Sequence, residues 1–206
     1  MTVKELKQKL DDLLFVKEEY DEEIHESISS YLVVVEKEID EFSVEVLLSD
    51  EFDNCNAIIE TESNKLVAAC VGTRLIEGIE EIGEYAFDGV PLYELHIPKS
   101  VTSAEQWAFS GCDNLKSITV DEDNPAYTSP AGSNVLLTKD GKTLIKGCPT
   151  SVIPQRITTI GEGAFSGVNF TNSCLYLPEG LKGIDHMAFY GCTNLYQVTV
   201  PSSVEY

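Results

Sequence analysis

The sequence predicts a repeat solenoid of the α/β class, in which short strands alternate with short helical turns and a helical segment caps the N-terminal end. Three observations predict it. The dipeptide Ala-Phe recurs at 86–87, 108–109, 164–165 and 188–189, each time followed one residue later by Gly89, Gly111, Gly167 or Gly191. The intervals are 22, 56 and 24 residues, so the outer two fall in the range of solenoid units and the middle one holds an insertion. A shift of 78 aligns residues 55–90 with 133–168 without a gap, and a shift of 80 aligns 95–120 with 175–200. The chain therefore carries one large unit twice, each an inserted segment followed by two short repeats.

Residues 1–43 lie outside the repeat. Thr2 and Glu5 fit a capping box, and Val3, Leu6, Leu10, Leu13 and Leu14 form one apolar helical stripe. Helical spacing resumes with Tyr20, Ile24, Ile28 and Tyr31 after a break near Phe15–Lys17. Tyr31 to Val35, and then Phe42, Val44, Val46 and Leu48, read as strands. The second of these aligns with Ile118-Thr-Val120 and is expected to be the first solenoid strand. The division is an acidic helical and strand cap over 1–43 and a solenoid over 44–206, with inserted hairpins at about 55–73 and 133–151.

Each short repeat has a physical reading. Ile82, Ala86 and Phe87 are apolar at helical spacing within one turn, and Gly89 reverses the chain. Leu92, Leu95 and Ile97 then point inward from a strand, Glu94 and His96 point outward, and Pro98 ends the ladder. Sister strands fall at 115–120, 174–177 and 195–200. One unit cannot bury its own apolar side, but stacked units share a continuous core. Phe87, Phe109, Phe165 and Phe189 are expected in that core, each worth about 1.5–3 kcal/mol of burial.

Charge narrows the function. Fourteen Lys and Arg against 35 Asp and Glu give a formal charge of −21, which argues against direct binding to nucleic-acid backbone or an anionic membrane. The longest apolar run, Leu66 to Val71, is far short of the roughly 20 residues of a membrane helix, so no membrane insertion is expected. The start MTVKELKQKLDDLL lacks an apolar signal core, so the chain as given is expected in the cytoplasm; removal of a signal would place it at the cell surface. The six cysteines show no CxxC spacing and are expected as reduced, buried fillers.

Several motifs tempt and fail. Gly141-Lys142-Thr143 resembles the end of a phosphate loop, but Leu136 stands where that loop needs Gly, and Asp140-Gly141 is a hairpin turn signal. His25, His96 and His186 have no paired-ligand spacing. Asn124-Pro125 breaks the calcium-loop spacing of Asp121 and Asp123. No catalytic constellation emerges, so the sequence supports no enzyme, metal or cofactor.

The runs IGEYAFDGV, AFSGCDNLKSITV, IGEGAFSGV and IDHMAFYGCTNLYQVTVPSSV fit IGxxAFxGCxxLxxIxIPxxV. This pattern resembles the BspA-like leucine-rich repeats. The second repeat departs, with Ser103-Ala104 where Ile-Gly is usual. The resemblance implies a right-handed leucine-rich-repeat solenoid with a parallel β-sheet on one face. It further implies a binding or adhesion role, with no catalytic residues to carry over.

A non-catalytic module that binds a protein partner is the first functional expectation. Its contacts would be the outward strand positions Glu45, Glu94, His96, Ser117 and Thr119. In the second unit they would be Tyr176, Gln197 and Thr199, with Tyr93 and Tyr196 as aromatic flanks. One alternative is an acidic inhibitor or nucleic-acid mimic from a phage or mobile element, acting through Glu18, Glu19, Asp21, Glu22, Glu23 and Glu26. Another is a fragment of a bacterial surface adhesin.

Overall fold

A computed structural model of the chain describes residues 44–47, 57–60, 62–69 and 72–206, with 44–47 described only as a strand. The expected helices of residues 1–43 lie outside the described residues. The doubling read from the sequence is visible as two blocks with matching strands.

The first block contains β1 (Val44–Leu47), β2 (Ala57–Glu60), β3 (Lys65–Ala69), β4 (Glu81–Ile82), β5 (Glu94–Ile97), β6 (Ser103–Ala104) and β7 (Ser117–Val120). The second contains β8 (Tyr127–Thr128), β9 (Val135–Thr138), β10 (Thr143–Gly147), β11 (Thr159–Ile160), β12 (Cys174–Tyr176), β13 (Gly183–Ile184) and β14 (Gln197–Thr199). A five-stranded sheet in the first block runs β1-β2-β3-β4-β6, and its counterpart runs β13-β11-β10-β9-β8. In each, the hairpin is antiparallel and the short strands after it pair in parallel. Ile59 pairs with Leu66 and Leu137 with Leu144, the same register 78 residues apart. The other face of each block is a two-stranded parallel ribbon, β5–β7 and β12–β14.

Three expectations need correction. Short helical turns do not form: among the described residues there is no helix. Ala86 N bonds Gly83 O and Asp88 N bonds Tyr85 O, which are isolated turns. The reason is local. Tyr85, Trp107, Gly163 and Met187, each directly before Ala-Phe, have φ of 55°, 58°, 61° and 54°, the left-handed region that a right-handed helix cannot pass through. The parallel sheet is also not continuous, because each block closes its own ribbon. Finally, β1 is not the first solenoid strand; it lies antiparallel to β2, with Glu45 opposite Ile59. It occupies the place that β8 has beside β9, where Tyr127 is opposite Thr138.

Phenylalanine rungs fill the interior. Phe87 stacks on Phe109 with centroids 5.8 Å apart, and Phe165 on Phe189 at 5.4 Å. Gly147 passes against the Phe165 ring so closely that a Cβ there would overlap it. The second hairpin ties the blocks together, because Leu136 and Cys148 are buried in the first block's core. Trp107 lies on Gly163 of the second block, where a Cβ would come within 2.5 Å of the indole. The inward reading of the strands holds at β7 and fails at β14: Ile118 is 2% exposed and its counterpart Val198 is 36% exposed. Tyr127 and Leu136 pack in the core that contains Ile118; no described strand lies beyond β14. Tyr206 O accepts a hydrogen bond from Ile184 N of β13 at 3.0 Å.

The cysteine expectation holds in part. Cys112 and Cys148 are buried and unbridged, whereas Cys174 is exposed; Cys55 and Cys70 lie outside the described residues. The acidic turn after β7 hides a fully buried Asn124. Its amide donates to Pro98 O at 2.7 Å and Val101 O at 2.9 Å, and its carbonyl accepts from Ala126 N and Tyr127 N. Asn124→Ala strands these four backbone groups, so chemical unfolding should show a loss of at least about 2 kcal/mol.

Lys146 is buried at the position where the first hairpin has Ala68. Burial pulls its ammonium below the ordinary lysine value, while Cys112, Asp113, Cys192 and Cys148 act in the opposite direction. The unfolded chain thus takes up this proton near 10.5 and the folded chain only at lower pH. Stability from this group is present above 10.5 and is lost as pH falls toward the folded value. Lys146→Met should therefore melt higher than the wild type at neutral pH, with the gap closing as pH is raised toward 10.5. Paired melting curves across that range check it.

Candidate functional site: two strand ribbons and a groove

Alternation along β5 sets the candidate surface. Leu95 and Ile97 are buried, which turns Glu94 and His96 outward. Parallel pairing places Ser117 beside Glu94 and Thr119 beside His96, so four expected contact residues form one patch. His96 Nδ1 lies 3.0 Å from Thr119 Oγ1, and its Nε2 lies 3.2 Å from Asp121 Oδ1. Lys99 N donates to the other Asp121 oxygen at 3.1 Å. The imidazole is thus held by groups from the next strand and the turn after it. Tyr93 flanks the patch with Lys116 Nζ 5.2 Å from its ring centre, a cation–π arrangement.

A groove of about 640 Å³ runs along β5. Its polar border includes Arg74, Glu77, Glu94, His96 and Asp121. Its apolar floor is Phe87, Leu92 and Leu95. Leu92, two residues past the aligned range of 55–90, meets Phe170 if the shift of 78 is carried on, and the Phe170 ring packs 5.3 Å from Phe165. In the first block the shorter Leu92 and Phe87 both line the groove.

The remaining expected contacts separate. On the second ribbon, Tyr176 is opposite Thr199, Gln197 is opposite Cys174, and Tyr176 and Tyr196 are 72% and 83% exposed. This is a second patch, on a different sheet from the first. Glu45 belongs to neither ribbon, because β1 pairs in the hairpin sheet. The acidic set Glu18, Glu19, Asp21, Glu22, Glu23 and Glu26 lies outside the described residues. Arg74, Leu92 and Asp121 were not singled out by outward strand spacing. Carrying the 78-residue shift two positions past its aligned range of 55–90 sets Leu92 against Phe170.

The phosphate-like Gly141-Lys142-Thr143 is a hairpin tip, where Asp140 Oδ1 accepts from Lys142 N at 3.0 Å. The Thr138 hydroxyl and Lys142 N–H hold the Asp140 carboxyl below its ordinary value. Among the described residues no three His, Cys, Asp or Glu side chains are grouped to hold a metal ion. No helix among them is long and apolar enough to cross a membrane.

Comparison with known proteins agrees with this architecture. The family model for the BspA type leucine rich repeat region matches residues 58–131 and 145–206, in six copies. A leucine-rich repeat protein from Eubacterium ventriosum is 24% identical, with a TM-score of 0.59 over 66% of this chain and 37% of that one. The pneumococcal vaccine antigen PcpA is 27% identical, with a TM-score of 0.56 over 65% of this chain and 33% of that one. A leucine rich cell surface protein from Faecalibacterium prausnitzii is 28% identical, with a TM-score of 0.54 over 66% and 37%. The chain thus spans about a third of the length of these solved structures. No curated protein matches it. The recurring Ala-Phe turns, the paired hairpins and a family match over most of the sequence lead to one assignment: the chain belongs to the BspA type leucine-rich repeat family.

Proposed function

We propose that the chain is a non-catalytic protein-binding module of a bacterial surface protein, with its principal contact on the β5–β7 ribbon. The observation that carries this reading is the convergence of Glu94, His96, Ser117 and Thr119 on one groove of about 640 Å³. A pinned imidazole and an exposed carboxylate above an apolar floor suit recognition of a protein segment, since apolar depth supplies affinity and few polar groups supply orientation. The exposed Tyr176 and Tyr196 make the second ribbon an auxiliary contact. The surface setting is supported by similarity to a protein described as a cell surface protein.

Affinity capture with the chain, followed by titration of the captured protein, tests the reading. Alanine at Glu94, His96 and Tyr176 together should weaken binding by about tenfold or more. The melting temperature should stay within a degree or so, because all three side chains are solvent-facing. Equal loss of binding and of melting temperature would remove the site assignment.

A further inference from the structure

We infer that the groove beside β5 takes an extended basic peptide segment, which adds as a strand to the free edge of β5 and seats one apolar side chain over Leu92. This rests on the proposed protein-binding function and names the partner's chemistry.

The edge supplies the first argument. Tyr93 O accepts from Lys116 N and Ile97 O accepts from Asp121 N, both on the β7 side. In a parallel pair the residues of one strand alternate between its two edges, so the N–H and C=O of Glu94 and His96 point away from β7. Among the described residues no strand pairs with that edge. A row of unpaired backbone donors and acceptors is a template for another extended chain.

The second argument is the seat. Phe87, Leu92 and Leu95 line the groove together with Glu94 and His96 of β5, and Leu92 stands where the other block has Phe170 packed on Phe165. A side chain of aromatic size entering beside Phe87 would restore the arrangement that Phe170 and Phe165 make in the second block. The third argument is charge. Glu77, Glu94 and Asp121 place three carboxylates on the border against one guanidinium, Arg74, on a chain of formal charge −21. Basic residues on either side of the anchor match that border, and an acidic peptide does not.

The test uses the full chain and a fluorescein-labelled peptide Lys-Val-Lys-Phe-Lys-Val-Lys, with fluorescence anisotropy as the readout. Saturable binding is expected, with at least about tenfold weaker binding when the central Phe is Ala. A peptide with Glu for every Lys should bind more weakly still. Leu92→Phe, which fills the seat with the residue found at 170, should lower affinity for the first peptide at least about tenfold while the melting temperature holds. Hydrogen exchange on the unaltered chain gives a readout independent of any variant. Peptide addition should slow exchange at the amides of Glu94 and His96.

Absence of saturable binding up to about 1 mM would overturn the inference. So would equal binding by Leu92→Phe, which would reduce the interaction to diffuse charge. Amides of Glu94 and His96 already fully protected in the free chain would show that the chain's own residues occupy the edge, and would also overturn it. A captured protein partner that binds Leu92→Phe normally but loses affinity on alanine substitution of Glu94, His96 and Tyr176 would discard the peptide groove and keep the binding face.

Discussion

Stacking of one phenylalanine on the next sets the geometry of each block. The rings of Phe87 and Phe109, and of Phe165 and Phe189, lie 5.8 and 5.4 Å apart. These separations are close to the spacing of about 4.8 Å between neighbouring strands. The rings and the ribbons therefore repeat with nearly one pitch, and each supports the other. The left-handed residue before every Ala-Phe aims the ring inward and stops the turn from becoming a helix. Gly147 is required because the ring of Phe165 lies against its backbone.

From this constraint follows the form of the candidate site. A ribbon held by the rungs presents alternate side chains at fixed intervals, which is how Glu94, His96, Ser117 and Thr119 come to share a patch. The groove is a local departure from the same rule. Where the second block packs Phe170 on its rung, the first has the shorter Leu92, which lines the groove with Phe87. The two blocks share a strand pattern but differ in side chains, and Leu92 against Phe170 is a difference that falls on the groove. Asp121 and Thr119 then orient His96 from the neighbouring strand and turn, so the polar border is as firmly placed as the floor.

Much of this was legible in the sequence because repetition is legible. The Ala-Phe spacing and the 78-residue shift located the hairpins, the rungs and the outward positions of β5 and β7. The turns were misread because apolar spacing over one turn cannot separate a helix from a left-handed kink; Tyr85, Trp107 and Met187 adopt positive φ without a glycine to announce it. The place of β1 was misread because its alternation fits a parallel or an antiparallel partner equally well, and only tertiary pairing chose β2. The exposure of Val198 was hidden for another reason. Its repeat position matches Ile118 and it too is β-branched and apolar, but burial depends on what packs against the strand next, which lies beyond the repeat itself.

The central claim is that the rungs order each block, and that the second hairpin and the Trp107–Gly163 contact join the two blocks as one stacked unit. Trp107, the single tryptophan of the chain, sits on Gly163 at the junction and reports on it directly. Urea unfolding of Phe165→Ala, followed both by Trp107 fluorescence and by far-ultraviolet circular dichroism, is the most direct test. The account predicts that both signals shift together to lower urea, with a loss of about 3–5 kcal/mol, although the altered ring lies in the second block and the reporter in the first. A fluorescence transition left unmoved while the dichroism shifts would contradict it, since the blocks would then unfold independently.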